Sequence, residues 1–200
     1  MIYKSYIIEQ KINNLDKNIF LFYGENLGLK NEFRNKIKSI NKDSEIINFN
    51  QEEILKNENF FFNEINNISL FEKKKIYFID QVNDKLLEII KEIEPRIDTQ
   101  KLYLFSEILD KKSKIRNYFE KNKDTICIPF YEDNERSLVP IVQNFLKEKK
   151  ILLSNQSINL IVQRSGGDRI NLYNELQKIE SFSKNQKKIH IEDIIKLTNS

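Results

Sequence analysis

Short apolar runs recur along the first two thirds of the chain: IFLFY at 19–23, EIINF at 45–49, KIYFID at 75–80, KLYLFS at 101–106 and TICIPF at 125–130. Each is nearly continuous rather than alternating, as strands covered on both faces are. Between them, apolar residues fall three and four apart, the spacing of one helix face. Residues 29–41 carry Leu29, Phe33, Ile37 and Ile40; residues 83–93 carry Leu86, Leu87, Ile90 and Ile93; residues 110–122 carry Ile115, Tyr118 and Phe119. Strand and helix alternate repeatedly, and connections of that length favour parallel pairing. The pattern predicts an α/β domain over 1–134, doubly wound, with a parallel sheet of about five strands.

After YEDNERS (131–137) the strand-like runs stop and helical periodicity takes over. Four helices are predicted: LVPIVQNFLKEKK, then SNQSINLIVQRSG with Ser154 as N-cap and Gly166-Gly167 as terminator, then DRINLYNELQKIESFS with Asp168 as N-cap, and a short IEDIIKLTN. They make a small helical lid domain over 135–200, and the polar segment near 133–137 is the expected boundary.

Composition narrows the chemistry. Of 200 residues, 40% are hydrophobic and 32% charged, enough for a core and a solvated surface, and 4 Gly with 3 Pro argue against low-complexity linkers. The net charge of +3 sets 33 Lys and Arg against 30 Asp and Glu, so the total does not demand a nucleic acid partner. The single cysteine, Cys127, excludes an internal disulfide and reads as a buried, inert thiol. The single histidine, His190, reads as a solvent-facing residue before the last helix. Together they leave little material for a histidine triad, a thiol protease or a zinc site, so no catalytic residue, metal site or cofactor is assigned. The N-terminal MIYKSYIIEQKI lacks the apolar core of a signal peptide, and no run approaches the ~18 apolar residues of a membrane helix. A soluble, cytoplasmic protein is expected.

Two loops resemble halves of a nucleotide site. The first run leads into YGENLGLKNEF. A loop between a strand and a helix N-terminus is where phosphates sit, because free N–H groups and the positive end of the helix dipole meet there. With Gly24 as the first glycine of G-x-x-x-x-G-K-[ST], Lys30 takes the lysine place. Leu29 then replaces the second glycine and Asn31 the hydroxyl residue that ligates magnesium. The plainer alternative is a strand–turn–helix junction with Gly24 in the turn. The third run ends in Asp80, where such folds hold magnesium, but Gln81 stands where the adjacent acid would be. Both halves are damaged: an ATPase architecture without ATPase chemistry.

The stretch NNISLFEKKKIYFID (66–80) raises a separate question. On a helix over 58–71, at ~100° per residue, Ile65 and Ile68 lie within about 40° of Phe61 and form one buried stripe. Leu70 falls roughly 180° from Phe61 and Phe71 about 80° to the side. The pair either packs at the end of the loop or is offered to a partner.

Four stretches in order, FLFYGEN, SLFEKKKIYFID, LYLFSEILDKKSKIRNYFEK and RSGGDRINLYNELQKIESFS, resemble the delta subunit of bacterial DNA polymerase III, a component of the sliding-clamp loader. The resemblance covers essentially the whole chain. It implies a clamp-loader ATPase-like (AAA+ type) fold with a helical lid, and no nucleotide binding in this subunit. It implies that Ser69, Leu70 and Phe71 bind the beta sliding clamp and that the subunit opens the ring for loading onto primed DNA. The implied partners are the gamma/tau and delta prime subunits, and nucleotidyl transfer belongs to the polymerase assembly. Two departures stand out. The family's helical collar domain has no counterpart before Ser200, as in a fragment. The lid motif also has an arginine two residues after its Asp, whereas here Arg169 follows Asp168 directly and Ile170 takes the expected place, so Arg169 is assigned no role. The rival readings are a divergent P-loop ATPase using Lys30 and Asp80, and a nucleic-acid-binding module using Lys73–Lys75, Lys111, Lys112, Lys114 and Arg116.

Overall fold

The computed structural model describes residues 16–67, 74–184 and 189–198. The chain divides into two compact units, one of residues 1–25 with 30–130, the other of residues 26–29 with 131–200.

The first unit is built on five parallel strands: β1 (Ile19–Tyr23), β2 (Glu45–Asn50), β3 (Lys75–Asp80), β4 (Lys101–Ser106) and β5 (Thr125–Pro129). They lie in the order β2-β3-β4-β1-β5, with Leu21 opposite both Leu104 and Cys127. Alternate residues point to opposite faces, and the two faces differ in chemistry. One is mostly aliphatic: Ile19, Leu21, Ile79, Leu102, Leu104 and Cys127 pack with Phe61, Ile65, Leu86, Ile90, Ile115 and Phe119. The other is aromatic. Phe22 meets Phe105 and Phe130 with ring centroids 5.1 Å away in each case, and Phe33 meets Phe130 at 4.8 Å. Phe33 and Ile37 come from α1 (Leu27–Ile40), which begins two residues earlier than its periodicity predicts.

Between β2 and β3 lie α2 (Gln51–Lys56) and α3 (Glu58–Asn66). The apolar spacing missed α2, whose signal is a capping box. Asn50 accepts from the Glu52 N–H while its own N–H donates to the Glu53 carboxylate at 2.8 Å. Phe61 and Ile65 are fully buried on α3, as the stripe predicts. The helix ends at Asn66, short of the 58–71 span, and Ile68, Ser69, Leu70, Phe71 and Lys73 lie outside the described residues. After β3 come a 3₁₀ turn (Asp84–Leu86) and α4 (Leu87–Ile93), and before β5 comes α5 (Lys114–Lys121).

The second unit packs α6 (Glu135–Lys149), α7 (Asn155–Arg164), α8 (Arg169–Ser183) and α9 (Ile191–Leu197). Their core is Leu138, Val142, Leu146, Ile158, Ile161, Leu172, Leu176, Ile179 and Ile194. Helix α6 starts at Glu135 because Asn134 caps the Ser137 N–H and the Ser137 hydroxyl accepts from the Asn134 N–H. Gly166 and Gly167 follow α7 with φ of 62° and 80°, the left-handed conformation that ends a helix. Ser154 and Asp168 cap α7 and α8 as expected. No helix among the described residues is long and apolar enough to cross a membrane.

Candidate functional site

The parallel strands bring Gly24, Asp80 and Glu107 to one end of the sheet. Gly24 follows β1 and donates its N–H to the Glu107 carbonyl at 3.0 Å. Its φ is +133°, and a Cβ there would stand 2.1 Å from the Phe130 carbonyl oxygen, so only glycine fits this crossing. Three residues, Gly24, Glu25 and Asn26, connect β1 to α1. Residues 27–29, which a phosphate cradle would hold open as loop, already lie in the helix.

Lys30 is partly buried on the first turns of α1. Burial pulls its ammonium below the usual lysine value, and the negative charges of Glu107, Glu25 and Asp80 offset part of that pull. One turn on, Arg34 forms an ion pair with Asp80. Its guanidinium lies 4.0 Å from the Phe105 ring centroid and 5.3 Å from that of Phe78, and Lys38 lies 5.8 Å from the same Phe78 ring. Lys30, Arg34 and Lys38 recur every fourth residue, so they share one helix face. That stripe of cations is legible in the sequence as a spacing of four, although the phosphate-loop pattern ends at Asn31 and includes neither Arg34 nor Lys38. The consequence is chemical: the Asp80 carboxylate already faces a cation fixed by two aromatic rings. Gln81 follows in the left-handed region, with φ of 56°, and accepts a hydrogen bond from the Asn50 amide at 2.8 Å.

A second polar cluster lies within the second unit. Arg169 grips Asp133 with two parallel bonds, Nε to Oδ2 at 2.8 Å and Nη2 to Oδ1 at 2.9 Å. The side chains are 9% and 5% exposed. Asn26 donates to Oδ2 at 2.7 Å and Ser137 to Oδ1 at 2.6 Å, so the carboxylate receives four donors. Asn26 also donates to the Tyr131 carbonyl and accepts from the Leu29 N–H at 2.9 Å, capping α1. Burial pushes the Asp133 carboxyl up, but the hydrogen bonds of Arg169, Ser137 and Asn26 outweigh it and hold the group below the usual carboxylate range. Arg169 is therefore not idle, which corrects the sequence reading. Its partner lies 36 residues away, and no local pattern marks such a pair.

The remaining sequence candidates separate. Ser69, Leu70 and Phe71 lie outside the described residues. Lys75 is tied to Glu64 at 2.8 Å, and Lys74, Lys111, Lys112 and Lys114 are exposed. Arg116 bonds Glu120 at 2.7 Å and the Leu109 carbonyl at 2.9 Å and lies over the Tyr23 ring, which withdraws it from the basic set. Burial pushes the Cys127 thiol up to about 12, so it stays protonated at neutral pH. His190 is exposed at the N-cap of α9. Among the described residues no group of three or more His, Cys, Asp or Glu side chains is placed to hold a metal ion.

No protein-family model and no curated protein sequence matches the chain. Solved structures do. The DNA clamp loader delta protein of Bacillus subtilis superposes with a TM-score of 0.64 at 15% identity, over 96% of this chain and 62% of that one. A variant of Thermotoga maritima RuvB gives 0.62 at 14%, over 98% and 65%. Domain III of the Thermotoga maritima replication initiation protein DnaA gives 0.57 at 15%, over 96% and 88%. The chain thus spans less than two thirds of the delta protein and of RuvB. What it shares with all three is the fold, here a five-stranded parallel sheet flanked by helices, with a helical second unit.

Proposed function

We propose that the chain is an interaction subunit of a clamp loader, of the delta type, which binds a sliding clamp without binding or hydrolysing ATP. Ser69, Leu70 and Phe71 enter an apolar pocket of the clamp, and the subunit holds one interface of the ring open for loading onto primed DNA. The other loader subunits, of gamma/tau and delta prime type, complete the assembly and supply its ATP chemistry.

The observation that carries this reading is the ion pair of Arg34 with Asp80. In a hydrolytic site that carboxylate ligates magnesium; here a metal ion would have to displace a guanidinium that also rests on two aromatic rings. The early start of α1 at Leu27 and the Asn26 cap on the Leu29 N–H act in the same direction, removing donors that phosphates need. Likeness in fold to a clamp loader delta protein supports the choice of partner.

Isothermal titration with Mg-ATP tests the negative half. No heat of binding is expected up to millimolar nucleotide, and a micromolar dissociation constant would return the chain to the ATPases.

A further inference from the structure

The sheet ends at β2, which among the described residues pairs with β3 alone. The main chain shows which residues of β2 look outward. The Glu45 N–H donates to the Lys74 carbonyl at 2.9 Å, so the main-chain groups of Glu45 face β3, and with them those of Ile47 and Phe49. Ile46, Asn48 and Asn50 turn theirs away from the sheet. The Asn50 N–H is taken by the Glu53 carboxylate at 2.8 Å, as that direction requires. Among the described residues nothing pairs with the outward N–H and carbonyl groups of Ile46 and Asn48. The edge also lacks the usual guards: residues 46–51 carry no charge and no proline, and the register with β3 runs unbroken from Glu45 to Asn50. An apolar surface lies open beside it. Ile47 and Phe49 are partly exposed on the face that carries α3, and Phe60 of α3, 55% exposed, lies 6.3 Å from the Phe49 ring.

We infer that the β2 edge is a dimer interface, in which the β2 strands of two copies pair antiparallel about a two-fold axis through Ile47. Donors and acceptors repeating every second residue are the complement of another extended main chain. The choice of a second copy comes from the register. A two-fold axis perpendicular to the sheet keeps each face on its own side, so odd residues can stand opposite only odd ones and even opposite even. With Ile47 opposite itself, Ile46 stands opposite Asn48 of the second copy and exchanges both main-chain bonds with it, and the reverse. Every outward group of Ile46 and Asn48 is then used. Moving the axis to Asn48 would set Ile46 opposite Asn50, whose N–H is already taken. On the α3 face, Ile47 of each copy meets the other, with Phe49 and Phe60 of both copies beside them, so the partly exposed side chains join into one apolar strip. Glu45 falls opposite Phe49 of the second copy. It is about 13 Å along the strand from the other Glu45, beyond the ~8 Å over which salt screens charge. A strand from another protein would use the same main-chain groups, but only a second copy brings Ile47 to Ile47 and Phe60 to both sides of the strip. A single strand pair buries less than a standard interface, so the dimer is weak and concentration-dependent.

The test is sedimentation equilibrium of the full chain, without clamp or nucleotide, joined to amide hydrogen exchange at low and high protein concentration. The average mass should rise from that of one chain toward that of two, with a dissociation constant on the order of 10–100 μM. The Ile46 and Asn48 amides should exchange freely in dilute protein and slowly in concentrated protein. Asn48→Pro removes an outward donor and leaves the ladder to β3 intact, and Asn48→Lys brings two ammonium groups together across the axis. Each should weaken the dimer by about tenfold or more, with the melting temperature of the dilute protein unchanged. Should the proline variant fold poorly, the lysine variant decides, because Asn48 is exposed. A chain that stays single at every concentration would overturn the inference, as would a dimer indifferent to Asn48→Lys. Ile46 and Asn48 amides that exchange slowly even in dilute protein would overturn it too, since the edge would then be covered within one chain.

Discussion

The molecule contains two Arg–Asp pairs that look alike in sequence and differ in kind. Arg34–Asp80, in the first unit, joins a helix to the end of a strand, with side chains 21% and 38% exposed. Arg169–Asp133, in the second unit, is 9% and 5% exposed, bidentate, and reinforced by Asn26 and Ser137. Water still reaches the first pair and screens it, so its contribution to stability is modest. The second has lost its water, so the attraction mainly offsets desolvation, and each charge depends on the other. The first pair can be lost at little cost to the fold; the second holds a segment in place.

Removing one partner separates the two most sharply. Arg169→Ala leaves a desolvated carboxylate and should destabilise the second unit by about 3–5 kcal/mol, read by urea denaturation. Replacing both partners, Asp133→Leu with Arg169→Met, should recover most of that loss, because the penalty lies in the orphaned charge. A double variant as unstable as the single one would show that the pair itself, and not the stranded charge, carries the stability.

Acid gives the next largest effect. The Asp133 carboxyl is held below its unfolded value, so its stabilising contribution is complete above about pH 4 and is lost as pH falls through the folded value. The stability gap between parent and Asp133→Asn should therefore shrink as pH drops below that point. A gap constant from neutral pH to pH 3 would contradict the assignment. Arg34→Ala should cost least, about 1–2 kcal/mol from the ion pair and the ring contacts together. Part of that cost should vanish in 0.5 M salt, roughly a 4 Å Debye length, while the Arg169→Ala deficit stays.

Much of the first unit was legible because its strands are doubly covered and read as unbroken apolar runs. Helices with a clear stripe, such as that of Phe33 and Ile37, were legible for the same reason. What escaped was set by polar side chains. The starts of α2 and α6 depend on caps at Asn50 and Asn134, not on hydrophobic spacing. At the end of the sheet, phosphate-loop spacing points to Gly24, Lys30 and Asp80 but not to Arg34, although it lies one turn from Lys30. Asp133 and Arg169 could not be paired from sequence, since nothing local records a contact between residues so far apart.

The central claim is that the chain grips a sliding clamp through Leu70 and Phe71 and needs no nucleotide to do so. Surface plasmon resonance of the chain and of Leu70→Ala/Phe71→Ala on the cognate clamp, without ATP, tests it most directly, with a thermal melt of each alongside. Truncating such an anchor typically costs about 2–4 kcal/mol, so binding by the parent should weaken roughly 30- to 1000-fold in the variant. The two melts should be nearly identical. A parent that does not bind, or a variant that binds as well as the parent, would contradict the account, and a melt lowered by many degrees would return the pair to the core.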